Sequence, residues 1–325
     1  MVVGFAAIAM AGVINSPARR PLRRLVVALS LAGFLGYSLQ PSTFARDEVW
    51  KFGVGLAVTF LVVGLMSNFR PRSFAVALLA LGVAHFLLAY RSLALICAAA
   101  AFAVFLMVRH REIDRRADQA AKRSSWRLAA LATFTVVSAV SIVSQYDQLA
   151  TSGYLGDKQQ QKAMALTSDT GSSLLTGRVE WLVSVYSIGE SPVLGNGTGL
   201  PPPRDAVVSA YHQYQEWGLT TVATAIISDP PAYHSQILGS LAENGVAAIP
   251  FWVLFGWLAW RAFSTGLIDR LSASELNVAI FLMTLTAWNS LFSPFGSGHR
   301  LLLAIIFGVF IALENQRERG CRAAS

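Results

Sequence analysis

The feature that most constrains this chain is a succession of long apolar runs, each closed off by charge or proline. They lie near residues 2–14, 25–39, 49–66, 73–90, 92–108, 128–145, 236–260, 276–292 and 301–313. A helix crossing a bilayer needs about 20 apolar residues, so the runs read as nine spans that consume roughly 180 residues and leave no other stretch longer than about 90. Of the 325 residues, 54% are hydrophobic and 14% charged, and mean hydropathy is +0.51. That composition excludes a disordered chain, a disulfide scaffold and a cytosolic domain. Cys97 inside an apolar run and Cys321 near the carboxyl end are placed too differently to pair and are too few for a metal cage. The expected fold is all-α: a polytopic transmembrane bundle of about nine spans with a large, partly helical outer loop. Residues 1–145 would hold the first six helices, 146–235 the loop, and 236–325 the last three helices and a cytoplasmic tail.

Charge orients the bundle. The segment Arg109–Arg127 carries seven basic residues and is expected in the cytoplasm by the positive-inside rule. Counting spans from that anchor puts 18 of the 26 Lys and Arg inside; the outer eight, among them Arg91, Arg178 and Arg300, are spread over far more sequence. Segment 146–235 holds eight acids against four bases. The formal net charge of +8 is therefore a topology signal, and nucleic acid is not an expected partner. The first run has 13 residues, with Arg19 and Arg20 after it rather than before it, which reads as a short first span or the remnant of a longer amino end, not a secretory signal.

A loop of about 90 residues among otherwise short connections is the anomaly, because loops beyond about 15 residues are usually functional or disordered. This one carries Tyr154, Trp181, Tyr186, Tyr211, Tyr214, Trp217 and Tyr233, and 205–228 alternates aromatic and apolar residues as a surface-lying helix would. Two readings stay open for Trp181, Tyr211, Tyr214 and Trp217: a platform on which sugar rings stack, or an aromatic belt at the headgroups. Arg91, between two apolar runs, either snorkels to headgroups or meets an anion. Arg178 either pairs with Glu180 or does the same, and His234, after Asp229-Pro230-Pro231, is a helix cap or a proton acceptor. The topology places all three at the outer face. Gly195-Asn196-Gly197-Thr198-Gly199 reads as a turn, since no strand precedes it and three prolines follow. Asn196-Gly197-Thr198 also fits a glycosylation sequon. His212 and His234 lack ligand spacing, so neither a metal nor a cofactor is expected.

Three segments together resemble the bacterial O-antigen ligase and polysaccharide polymerase superfamily of membrane glycosyltransferases. Tyr90-Arg91-Ser92-Leu93-Ala94 is similar to its Ser-Arg-small motif, with Tyr90 in place of the serine. Thr176-Gly177-Arg178-Val179-Glu180-Trp181, then Ser191-Pro192-Val193-Leu194-Gly195-Asn196-Gly197, resembles its Gly-Arg, Trp, Pro, Gly-x-Gly progression. His234-Ser235 followed by Gly245-Val246-Ala247 resembles its His-Ser motif with a downstream glycine, Ala248 being a departure. The likeness covers residues 73–260, and members commonly have more spans than the nine read here. It implies transfer of a glycan from an undecaprenyl diphosphate carrier to a glycan or lipid acceptor, without metal, at the outer face of the bacterial inner membrane.

Residue chemistry agrees with what the resemblance implies. Arg91 and Arg178 are permanently charged forks suited to a leaving diphosphate. An imidazole with an ordinary pKa near 6.5 suits His234 to accept the acceptor's proton. Glu180 would support Arg178. The competing expectation is a transporter or flippase of lipid-linked or polysaccharide substrates, for which Glu243 is the one clear mid-span acid.

Overall fold

The structure is a computed structural model. It describes residues 21–39, 48–114, 180–228, 235–264, 271–293 and 297–322, with Arg46, Tyr233 and parts of 145–164. The apolar runs 2–14 and 128–145 lie outside the described residues. Among the described residues there is no strand, and the helices fall into two units: the described residues of 16–146 with 271–284, and those of 147–268 with 285–322.

The first unit contains α1 (Pro21–Leu39), α2 (Gly55–Met66), α3 (Pro71–Leu87) and α4 (Arg91–Asp114), with a π-helical segment, Val49–Val54, running directly into α2. Pro71 opens α3 at a position where a missing N–H costs nothing. Helix α10 (Ala273–Phe292) contributes its first turns, packing Phe281 edge to face against Phe60 at 6.2 Å. Helix ends tie this unit together, because each leaves backbone groups without intrahelical partners. The Leu22 N–H at the start of α1 donates to Glu275 Oε2 at 3.1 Å. At the end of α2, the Gly64 carbonyl accepts from Arg23 Nε at 2.9 Å and the Ser67 carbonyl from Asn277 Nδ2 at 3.2 Å. The starts of α1 and α10 thus lie with the end of α2.

The second unit contains α5 (Glu180–Glu190), α6 (Arg204–Glu216), α7 (Thr220–Ser228), α8 (Gln236–Asn244), α9 (Ile249–Ser264), α11 (Ser297–Arg322) and the last turns of α10. The long segment expected to be partly helical is so in α5, α6 and α7. The single surface helix expected over 205–228 is instead two helices, because Gly218 takes φ +75° and turns the chain between them.

The run 236–260 is also not one helix. It breaks at Gly245, whose φ of +57° favours glycine, into α8, a 3₁₀ turn over Gly245–Ala248, and α9. Among the described residues, four helices or helix pairs are long and apolar enough to cross a membrane: Leu22–Leu39, Val49–Met66, Arg91–Val108 and Gln236–Arg261. Pro71–Leu87 and His299–Ile311 are shorter apolar helices. Large side chains such as Leu31, Leu35, Val76, Val83 and Val253 are exposed on these helices, as lipid-facing surfaces require.

Candidate functional site

Within the second unit, the segment Ser191–Gly197 meets the residues around Gly245. Helix α8 ends with carbonyls that lack intrahelical donors. The Gly195–Gly197 turn supplies them: Asn196 N–H donates to the Ala242 carbonyl at 2.8 Å and Gly197 N–H to the Glu243 carbonyl at 3.0 Å. In return Val246 N–H donates to the Pro192 carbonyl at 3.0 Å. The Asn196 side-chain amide bridges the Ser187 carbonyl at 2.7 Å and the Ala242 carbonyl at 3.0 Å, so its amide is committed to the fold. The turn expected at 195–199 is therefore a clamp on the end of α8.

Beneath the clamp lies a buried polar cluster. Glu243 is paired with Arg300, from the first turn of α11. The acid expected in mid-span thus has its charge met by a base expected among the scattered outer arginines. The Tyr233 hydroxyl is pushed up from its ordinary pKa by burial and by the Glu243 carboxylate, opposed by the Ser187 hydroxyl. These neighbours were missed in sequence, because Ser187 and Tyr233 belong to no motif and the pairing of Glu243 with Arg300 spans 57 positions. On the other side of His234, Ser235 caps α8 by accepting from Leu238 N–H at 3.2 Å and donates to the Ser290 carbonyl at 3.0 Å. Of the residues flanking His234, Ser235 is held by hydrogen bonds and Tyr233 is buried. His234 and Arg178 themselves lie outside the described residues.

Arg91 belongs to the first unit, where it opens α4. The residues before it are tightly specified. Ala89 takes φ +61°, and Tyr90 N–H donates to the His85 carbonyl at 2.8 Å. Tyr90 also sets its ring edge against the His85 imidazole, with centroids 5.8 Å apart. His85, fully buried, accepts from Trp50 Nε1 at Nδ1, 2.9 Å, and its Nε2 lies 2.8 Å from Thr59 Oγ1. An indole only donates, so Nδ1 must be the acceptor and Nε2 must carry the proton. Thr59 in turn donates to the Gly55 carbonyl at 2.7 Å. This one-directional chain of hydrogen bonds joins the π-helical segment, α2 and α3 just before Arg91. Only its apolar surroundings were legible in sequence.

The aromatic candidates separate. Trp181 and Trp217 are exposed, at 44% and 52%, whereas Tyr211 is half-buried and Tyr214 is 2% exposed. Val207, Ala210 and Tyr214 follow the three-and-four spacing of one helix face, and that face packs on Leu182 and Val183 of α5. A stacking platform needs open ring faces, so the expectation of one aromatic row is corrected: Tyr214 is a core residue. Glu180, at the start of α5 where a carboxylate complements the helix dipole, lies within electrostatic reach of Tyr214.

Burial, and secondarily Glu180, raise the Tyr214 pKa above its ordinary 10.0. The folded state therefore keeps the phenol protonated where the unfolded chain would release its proton. The stability this contributes is fully present below pH 10.0 and declines above it, by up to about 1.4 kcal/mol per pH unit. Melting of the detergent-solubilised protein should fall more steeply through this pH in the wild type than in Tyr214→Phe. Parallel curves would remove Tyr214 from the core.

Among the described residues no group of three or more His, Cys, Asp or Glu is placed to hold a metal ion. The described chain is an all-helical protein with several membrane-length apolar helices, which defines its class as a helical membrane protein. No protein-family profile, no curated protein and no solved structure matches it.

Proposed function

We propose that the protein transfers a glycan from an undecaprenyl diphosphate carrier to an acceptor hydroxyl, without metal, at the outer face of a nine-span bundle in the bacterial inner membrane. Arg91 and Arg178 grip the diphosphate. His234 takes the proton of the attacking hydroxyl, Glu180 supports Arg178, and the exposed Trp181 and Trp217 offer ring faces to the sugar. One observation carries the reading: the segment after Arg178 and the segment after His234, 46 positions apart at Asn196 and Ala242, are clamped to each other by backbone and side-chain hydrogen bonds.

The test is a reconstituted reaction with a labelled undecaprenyl diphosphate-linked glycan in the presence of EDTA, where transfer with release of the carrier diphosphate is expected. Transfer abolished by EDTA and restored by Mg²⁺ or Mn²⁺ overturns the metal-free mechanism. Absence of transfer to lipid and glycan acceptors alike overturns the glycosyltransferase reading. In a deletion strain, long unattached chains accumulating on the carrier identify a ligase, whereas single repeat units on the acceptor identify a polymerase.

A further inference from the structure

The Pro192–Gly195 turn carries two conspicuously exposed apolar side chains, Val193 at 62% and Leu194 at 82%. Water is a poor environment for such a pair. What lies around the turn is fixed by its hydrogen bonds to Ala242, Glu243 and Val246, the corner that precedes α9. Helix α9 has 16 residues and spans about 24 Å, whereas the hydrocarbon core of a bilayer is about 30 Å thick. The missing length falls on the residues just before Ile249. The far boundary is marked by the exposed Trp257 and Trp260 and by Arg261, whose guanidinium lies 4.7 Å from the Trp257 ring centroid, the signature of a headgroup interface. The candidate span as a whole, Gln236–Arg261, has 26 residues against the about 20 that a crossing needs, so its end away from Arg261 includes the corner at 242–246. The corner at 242–246 therefore sits at the opposite edge of the hydrocarbon, and the clamp holds Val193 and Leu194 at that depth.

The turn has the chemistry such a position demands. Ser191–Leu200 contains no charged residue. Irregular backbone at membrane depth is tolerated only where the protein satisfies its polar groups. Here Gly195 N–H donates to the Ser191 carbonyl at 2.9 Å, Asn196 and Gly197 donate to α8, and the Pro192 carbonyl accepts from Val246. Its exposed apolar surface continues through Val246 and Ile249, also exposed, onto the lipid-length helix. We propose that Val193 and Leu194 insert among phospholipid acyl chains at this edge, fastening the 180–228 region to the bilayer by an aliphatic turn. This inference uses only the membrane character of the chain and does not depend on the glycosyltransferase reading.

The test is power-saturation spin-label spectroscopy on the full chain in phosphatidylethanolamine and phosphatidylglycerol vesicles. A nitroxide is attached at Leu194→Cys, and separately at Val193→Cys, in a Cys97→Ala, Cys321→Ala background. Oxygen concentrates in lipid and a nickel chelate in water. Collisions with oxygen are expected to exceed those with the chelate at both sites. A chelate excess at both sites places the turn in water and overturns the proposal. Low collision rates with both reagents mean that protein covers the turn, from this chain or a second copy, and overturn it equally. A lipid signal at one site with a water signal at the other also overturns it, because the proposal requires both side chains to insert.

Discussion

Arg91→Ala, Arg178→Ala and His234→Ala should each lower glycan transfer by at least about a hundredfold while the protein still inserts and accumulates. In the proposed metal-free reaction, cleaving the glycosyl diphosphate leaves negative charge on the diphosphate for the guanidinium groups to stabilise. Lysine separates charge from geometry. If Arg178 holds the diphosphate through paired hydrogen bonds, Arg178→Lys keeps the charge, loses the fork and stays badly impaired. For His234, the glutamine variant keeps a polar side chain but not the base. Proton transfer occurs only in the transition state, so His234→Gln should lower kcat at saturating donor far more than it changes donor affinity. Wild-type turnover in His234→Gln removes it as a base, and wild-type turnover in all three alanine variants removes the glycosyltransferase reading.

The second large effect is structural. Gly245→Ala should collapse the clamp and sharply reduce the amount of folded protein. At φ +57° and ψ −148° the residue occupies backbone space that side chains rarely enter, at a cost of roughly 1–3 kcal/mol. A Cβ there would also run into the Val193 carbonyl, and overlap of that kind typically costs about 1–3 kcal/mol more. Together these take a large share of a stability that is usually only about 5–15 kcal/mol. Gly195→Ala should behave similarly, since its φ is +72° and its Cβ would meet the Glu243 backbone. Two controls isolate the cause. Gly199 has φ +75° in open space and should show the backbone cost alone, while Gly189, helical and open, should tolerate alanine without loss. Thermal melting in detergent checks all four, and a wild-type melt in Gly245→Ala would mean that the clamp does not form.

Run length and periodic apolarity are local properties, so the sequence alone determined the helices that depend on them. Val49–Met66, Arg91–Val108 and Ala273–Phe292 fall where the apolar runs lie, because a long apolar stretch can satisfy its backbone only as helix when it is removed from water. The glycine-rich turn at 195–199 was legible for the same reason: positive φ at Gly195, Gly197 and Gly199 is a single-residue preference. What only the tertiary structure decided is which groups meet. Tyr214 and Trp217 have similar local surroundings, yet one is core and the other exposed, because α5 covers just one face of α6. Glu243 reads as an isolated acid until α11 brings Arg300 to it, and the break at Gly245 reads as ordinary helix until the turn from residue 192 needs the backbone space that a side chain would fill. Burial face and charge pairing are set by partners far along the chain, and those partners gain meaning only when the chain is folded.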